Sequence, residues 1–282
     1  MTDTEPTLAY DGSFPGFLCA CAEALNAPDP APRVVRASAP EGLFETRFAV
    51  ARDEGRAAAL WSRLARRAGP QVMRTLLEAF LSDAKGADAY TAIAMRRIRA
   101  EGAGAMRDLS DPAVLAVEKA AHRARMEANL MCGLVRFSEL SDGAWYAPVE
   151  PACDVLVLAA DHFAARFGPM RFAIHDLSRG AAILHEPGRG WELVDGFSLK
   201  LAGGLDDGGS GNGGRAALSE TEIETRRLWK AYFASTAIQA RANPALQSSK
   251  MPKRYWRLLV EMDGEGVVGT RTSWIPPSAS CP

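Results

Sequence analysis

The chain has 282 residues, 48% of them hydrophobic and 24% charged, with a formal net charge of −1. This is the composition of a soluble globular protein, long enough for one large domain or two modest ones around a real core. The acidic, polar opening "MTDTEPTLAYDG" is not a signal peptide. No run approaches the roughly 18 apolar residues of a membrane span, so a cytoplasmic protein without a membrane partner is expected.

Taken in chain order, "TLAYDGSFPGFLCACAEALN" (7–26) reads as a short strand, a turn at Asp11-Gly12-Ser13, and a helix with Phe14, Phe17, Leu18 and Leu25 inward. A proline-rich connector (29–42) follows, with an edge strand at Arg33 to Ala37, and "LFETRFAVA" (43–51) alternates like a strand. Residues 53 to 131 are expected to be helical. One helix buries Leu60, Trp61 and Leu64, and Pro70 starts the next, with Val72, Leu76, Leu77, Phe80 and Leu81 as its apolar stripe. A further helix follows, and the last opens with Ser110 as N-cap and Pro112 in its first turn.

The middle of the chain changes period. Apolar residues alternate on both sides of Asp142-Gly143 in "LVRFSELSDGAWYAPVE", a hairpin pattern. "DVLVLAADHFAARFG" turns a short apolar run into a helix, and "MRFAIHD", "GAAILHE" and "GWELVD" are three short strands. The expected fold is α+β, mostly helical, with a small antiparallel sheet in the middle. The boundaries expected are a mainly helical region over 1–132, a mixed α+β domain over 133–262 with a Gly-rich loop at 202–217, and a disordered tail over 263–282. Ser219 and Glu222 have capping-box spacing for a long helix ending before Asn243-Pro244. A last helix is expected over about 252 to 261.

The five cysteines (Cys19, Cys21, Cys132, Cys153, Cys281) are odd in number and irregular in spacing. Reduced, structural thiols are expected, and neither a metal nor another cofactor. Charge is distributed more tellingly. From Arg226 to Val260 there are eight Lys or Arg and no Asp or Glu, so this window is +8 and the remainder of the chain −9. Lys230, Arg241, Lys250, Lys253, Arg254 and Arg257 lie in it, with Tyr255 and Trp256 among them. An acid-free run with an aromatic available for base stacking suits phosphate contact. The alternative is a docked helix with a solvated basic face. There Leu228, Tyr232, Phe233, Ala237 and Ile238 dock on the body, and Trp256, Leu259 and Tyr255 act as core anchors. The stretch from Arg52 to Arg107 adds eleven cations against six acids, so a second helix face can extend the footprint.

For chemistry, His162 and Arg166 lie one turn apart, and His175, Asp176 and Arg179 sit at a strand end. His162, His175, Asp176 and Arg179 are therefore candidates for acid–base or phosphodiester chemistry. The alternative is that His175 and Asp176 cap a turn and Arg179 is an ion-pair residue. No phosphate-binding P-loop, Gly-x-Ser-x-Gly elbow or His-Glu-x-x-His helix is present.

Five segments carry a resemblance: "YDGSFPGFLCA", "VRFSELSDGAWYAPVEP", "ADHFAARF", "FAIHDLSRG" and "LWKAYFASTAIQARANPALQSSKMPKRYW". Together they resemble the bacterial family named only as "probable DNA metabolism proteins", over about residues 8 to 260. The C-terminal part of that family is a domain of unknown function. The resemblance implies a role in DNA repair or modification, with DNA as a partner. It also implies a protein partner, either a radical SAM DNA modification or repair protein or a uracil-DNA-glycosylase-type domain. This chain has neither a Cys-x-x-x-Cys-x-x-Cys ligand set nor a glycosylase motif, and it resembles the stand-alone accessory component. After "VEP" the resemblance leads to a polar Asp-His-type pair. Ala152-Cys153 stands there instead, which puts chemistry centred at that point in doubt. Three functions stay open: a DNA-binding accessory protein, an enzyme on damaged DNA, and a protein-interaction module without DNA binding.

Overall fold

The computed structural model describes residues 6–42, 45–201, 214–236 and 243–262. It is a mixed α+β fold, predominantly helical. The chain divides into two compact units, one of Met1–Met131 and Pro151–Asp161, the other of Cys132–Glu150 and His162–Pro282.

In the first unit, β1 (Thr7–Tyr10) lies between β2 (Arg33–Arg36) and β3 (Arg47–Ala49), parallel to both. A strand flanked on both sides and covered by helices is apolar throughout, and all four residues of β1 are buried. The turn at Gly12, with φ at 91°, leads into α1 (Phe14–Asn26). Its cap is Ser13, whose Oγ accepts from the Gly16 N–H at 3.0 Å and donates to Asp11 at 2.6 Å. Cys19 and Cys21 are fully buried on this helix. Cys19 Sγ donates to the Asp53 carbonyl at 3.2 Å, and burial pushes the Cys21 thiol well up.

The helix α2 (Glu54–Leu81) is interrupted at Gly69, whose φ of 76° no helix interior accepts. Pro70 then restarts the helix, where its missing N–H is not needed. This is the division the proline predicts. After α3 (Ala87–Glu101) and a 3-10 turn (Gly102–Arg107) comes α4 (Pro112–Leu134). The cap of α4 is Asp111 and not Ser110. Asp111 Oδ1 accepts from the amides of Ala113 (2.8 Å) and Val114 (3.0 Å), while Ser110 donates to Asp108. Only the residue directly before Pro112 reaches the second and third helical amides. The Val114 amide above all holds the Asp111 carboxyl below the usual range.

The rings of Tyr10, Phe14, Phe17 and Phe80 form the centre of this unit, with centroids 5.0 Å apart for Phe14–Phe80 and 5.1 Å for Phe17–Phe80. Leu76, Met95, Ile98, Val114 and Val117 pack in the same core. The carboxylates of Asp88 and Glu78 are drawn into it. Tyr10 Oη donates to Asp88 at 2.9 Å, and Arg36 bridges Asp83 and Asp88. Glu78, with its side chain 2% exposed, is held between Arg74 and Arg125 at 2.9 and 3.0 Å.

In the second unit five strands run in the order β4 (Ser138–Glu139), β5 (Trp145–Val149), β6 (Phe172–Asp176), β7 (Ala181–Glu186) and β8 (Gly190–Asp195). The β4–β5 hairpin and the β6–β7–β8 meander are antiparallel, as their turns predict. The sheet is not antiparallel throughout, because β5 and β6 pair parallel from Trp145–Phe172 to Val149–Asp176. The segment between them contains α5 (Leu156–Arg166), and a helical crossover returns the chain to start the next strand in the same direction. Phe137 packs edge to face against Phe163, Phe167 and Phe172, while Phe163 and Phe167 stack. The Gly-rich stretch is not loop throughout. Residues 202–213 lie outside the described residues, but β10 (Gly214–Ala216) pairs parallel with β9 (Leu199–Leu201). The tail over 263–282 also lies outside them.

Leu76 is fully buried in the hydrophobic core of the first unit. Leu76→Ala is expected to destabilise that unit by about 2–5 kcal/mol, measured as a lowered urea midpoint.

Candidate nucleic-acid interface

Three helices carry the acid-free window: α6 (Glu220–Thr236), α7 (Pro244–Lys250) and α8 (Lys253–Trp256). Only half of the expected capping box at the start of α6 forms. Ser219 Oγ accepts from the Glu222 N–H at 3.0 Å, but Ser219 N donates to the Glu139 carbonyl. Glu222 turns instead to Arg226, 2.8 Å away, and Arg226 also donates to Ser138. The basic character of α6 is thus reduced where it meets β4.

The apolar stripe expected to dock on the body does not do so. Leu228 and Tyr232 are each 59% exposed and Phe233 38%. Ala237, Ile238 and Arg241 lie outside the described residues. Trp229 is tied to the unit by its indole, whose Nε1 donates to Glu261 at 3.2 Å, and its ring stacks on Tyr232. Lys230 is half-buried on α6, whereas Arg227 is exposed.

Asn243 caps α7 through its Oδ1, which accepts from the Leu246 N–H at 3.0 Å. This leaves Lys250 exposed in the last turn. The four-residue α8 turns two anchors inward, since Tyr255 and the following Leu259 are 3% and 1% exposed. Trp256 is half-buried and donates from Nε1 to the Met251 carbonyl at 2.8 Å. Neither ring is a bare stacking platform. Each carries a cation, with Lys253 Nζ 5.9 Å from the Trp256 centroid and the Arg254 guanidinium 5.0 Å from that of Tyr255. Arg257 forms a two-point ion pair with Glu150, one arm at 2.9 Å. Among the described residues, Lys250 and Lys253 make no ion pair.

The candidate catalytic residues do not converge. His162 is exposed on α5, edge-on to Phe163, and no hydrogen bond among the described residues joins it to the other three. His175 is buried on β6, where Nδ1 lies 2.8 Å from Tyr146 Oη. Asp176 and Arg179 do meet, at 2.8 Å, and Asp176 also accepts from the amides of Ser178 and Arg179. That arrangement closes the β6–β7 turn. Successive residues of a strand face opposite ways, so His175 and Asp176 cannot serve one site from β6. Arg227, counted in the basic window but not among the candidate contacts, is exposed on α6 and makes no ion pair among the described residues.

The model of the DUF4130 family, described as a domain of unknown function, matches residues 85–261. The chain belongs to this family. No curated protein and no solved structure matches the chain. The matched residues include α6 to α8, the five-stranded sheet and the four histidines. Among the described residues, no helix is long and apolar enough to cross a membrane.

Glu261, which follows the acid-free window, accepts from Arg136 at 2.7 Å as well as from Trp229. Burial alone would raise its carboxyl, but the bonds from Arg136 and from its own backbone outweigh that and hold it low. A carboxyl lowered by folding stabilises above its ordinary value, and the gain disappears as pH falls through the folded-state value. The melting temperature of Glu261→Gln is therefore expected to lie below that of the native chain at neutral pH, with the gap closing below about pH 4.

Proposed function

We propose that this chain is a DNA-binding accessory protein of DNA repair or modification. In this reading Lys250, Lys253 and Arg254 contact phosphates, with Arg227 and Lys230 on α6 extending the track. The observation that supports it most is the pair Lys250 and Lys253. Both are exposed and make no ion pair among the described residues, in a window without an acid from Arg226 to Val260. Ordinary exposed helices interleave charges of both signs, and a cationic face without carboxylates favours a polyanion. The partner, a radical SAM or uracil-DNA-glycosylase-type protein, is part of this proposal and rests on the sequence resemblance. Asp176 and Arg179 satisfy each other, which lends no support to an autonomous His/Asp/Arg site.

The test is DNA affinity against salt, with single- and double-stranded oligonucleotides. Lys250→Ala/Lys253→Ala is expected to flatten the log–log slope by about 0.7–0.9 per lysine. Arg257→Ala, already neutralised by Glu150, is expected to flatten it less. A slope unmoved by the double substitution would overturn the assignment.

A further inference from the structure

The first unit holds a pocket of about 340 Å³ formed where α1, α2 and α3 approach one another, lined by Arg63, Arg66, Arg67 and Arg99 around Leu60 and Leu64. Its volume lies within the roughly 300–1,000 Å³ of small-molecule sites. All four arginines are exposed, and none pairs with a carboxylate among the described residues. Three are steadied by single hydrogen bonds to neutral groups. Arg63 donates to the Ala59 carbonyl, Arg67 to that of Ala100, and Arg99 to the Asn26 side chain, each at 3.3 Å. The Arg66 side chain makes no hydrogen bond among the described residues.

Eight other arginines of the unit differ in this, while Arg33, Arg107 and Arg123, which also make no ion pair among the described residues, do not line the pocket. Arg36, Arg47, Arg52, Arg56, Arg74, Arg96, Arg97 and Arg125 each meet an acid. Four guanidiniums around one concavity repel one another, and an anion seated among them relieves that repulsion. Guanidinium forks match phosphate oxygens two at a time. A phosphate monoester, close to doubly charged at neutral pH, answers such a cluster better than a single carboxylate does. The leucine floor calls for an apolar body attached to the anion.

We propose that this pocket binds the phosphate monoester of a nucleotide, with the sugar and base against Leu60 and Leu64. The nucleotide is either free or the 5′ end of a DNA strand. The inference does not rest on the C-terminal basic window, and the two can fail separately.

The experiment is calorimetric titration of the full chain with thymidine 5′-monophosphate and with thymidine, at fixed low salt. The monophosphate is expected to bind and thymidine not to. Arg63→Ala/Arg99→Ala and Arg66→Glu are each expected to weaken the monophosphate by roughly tenfold or more, while Lys250→Ala/Lys253→Ala leaves it unchanged. Because the Arg66 side chain is exposed and bonded to nothing among the described residues, Arg66→Glu should keep the native melting temperature, which separates lost binding from lost folding. Displacement of the monophosphate by a 5′-phosphorylated oligothymidylate, and not by its 5′-hydroxyl form, assigns the strand end. No displacement by either assigns the free nucleotide. Equal binding of thymidine and its monophosphate, no binding of either, or affinity unaltered in Arg66→Glu overturns the proposal.

Discussion

A carboxylate removed from water needs a cation or several N–H donors beside it, and the positions of Glu78, Asp176 and Glu261 follow from that demand. Their side chains are 2%, 0% and 3% exposed. Arg74 and Arg125 answer the first, Arg179 and two turn amides the second, Arg136 and an indole the third. Removing one partner of such a pair leaves an uncompensated buried charge, at a cost of about 3–5 kcal/mol. Each pair therefore fixes a junction: α2 with α4, the end of β6 with the start of β7, and the segment between α4 and β4 with the chain after α8, to which the Trp229 indole adds α6.

Matching of this kind also sorts the remaining cations. An arginine answering a buried acid is structural, however basic its neighbourhood looks in the sequence. Arg226 falls in that class, answering the buried Glu222, and the half-buried Glu150 takes up the charge of Arg257. Lys250 and Lys253 have no such partner among the described residues, and the same holds for the arginines around Leu60 and Leu64. The cationic surface left without an acid is thus smaller than the count of basic residues, and it occurs in both units.

Much of this architecture was legible in the sequence, because its signals are local. The Gly69-Pro70 break, the Asp142-Gly143 hairpin and the three-strand meander follow from residues within a few positions of one another. Strand direction was not, because β5 and β6 become parallel through a helix between them, and neither strand's own alternation records that. The N-cap of α4 was misplaced by one residue, since Ser110 and Asp111 both have capping side chains and only geometry separates them. In the basic window, charge was readable but its consumption was not. Glu150 lies 107 residues from Arg257 in sequence. Burial of Tyr255 was one of two readings, core anchor or stacking ring, and a helix of four residues is too short to show a period that separates them. The α6 stripe has the spacing of a docked face yet stands exposed, and nothing in its own residues distinguishes the two outcomes. The arginine pocket was hidden for a further reason: its members come from two helices and converge only on folding.

The parallel β5–β6 register bears on how the second unit assembles. The β4–β5 hairpin closes over a short turn, and so does each step of the β6–β7–β8 meander. Uniting these two pieces requires Trp145 to find Phe172 across an intervening helix, a longer loop whose closure costs more chain entropy. Until it closes, β5 and β6 each present a bare edge to any other strand nearby. In the finished sheet those two edges are the interior, and β6, an outer strand of the meander on its own, becomes the central one.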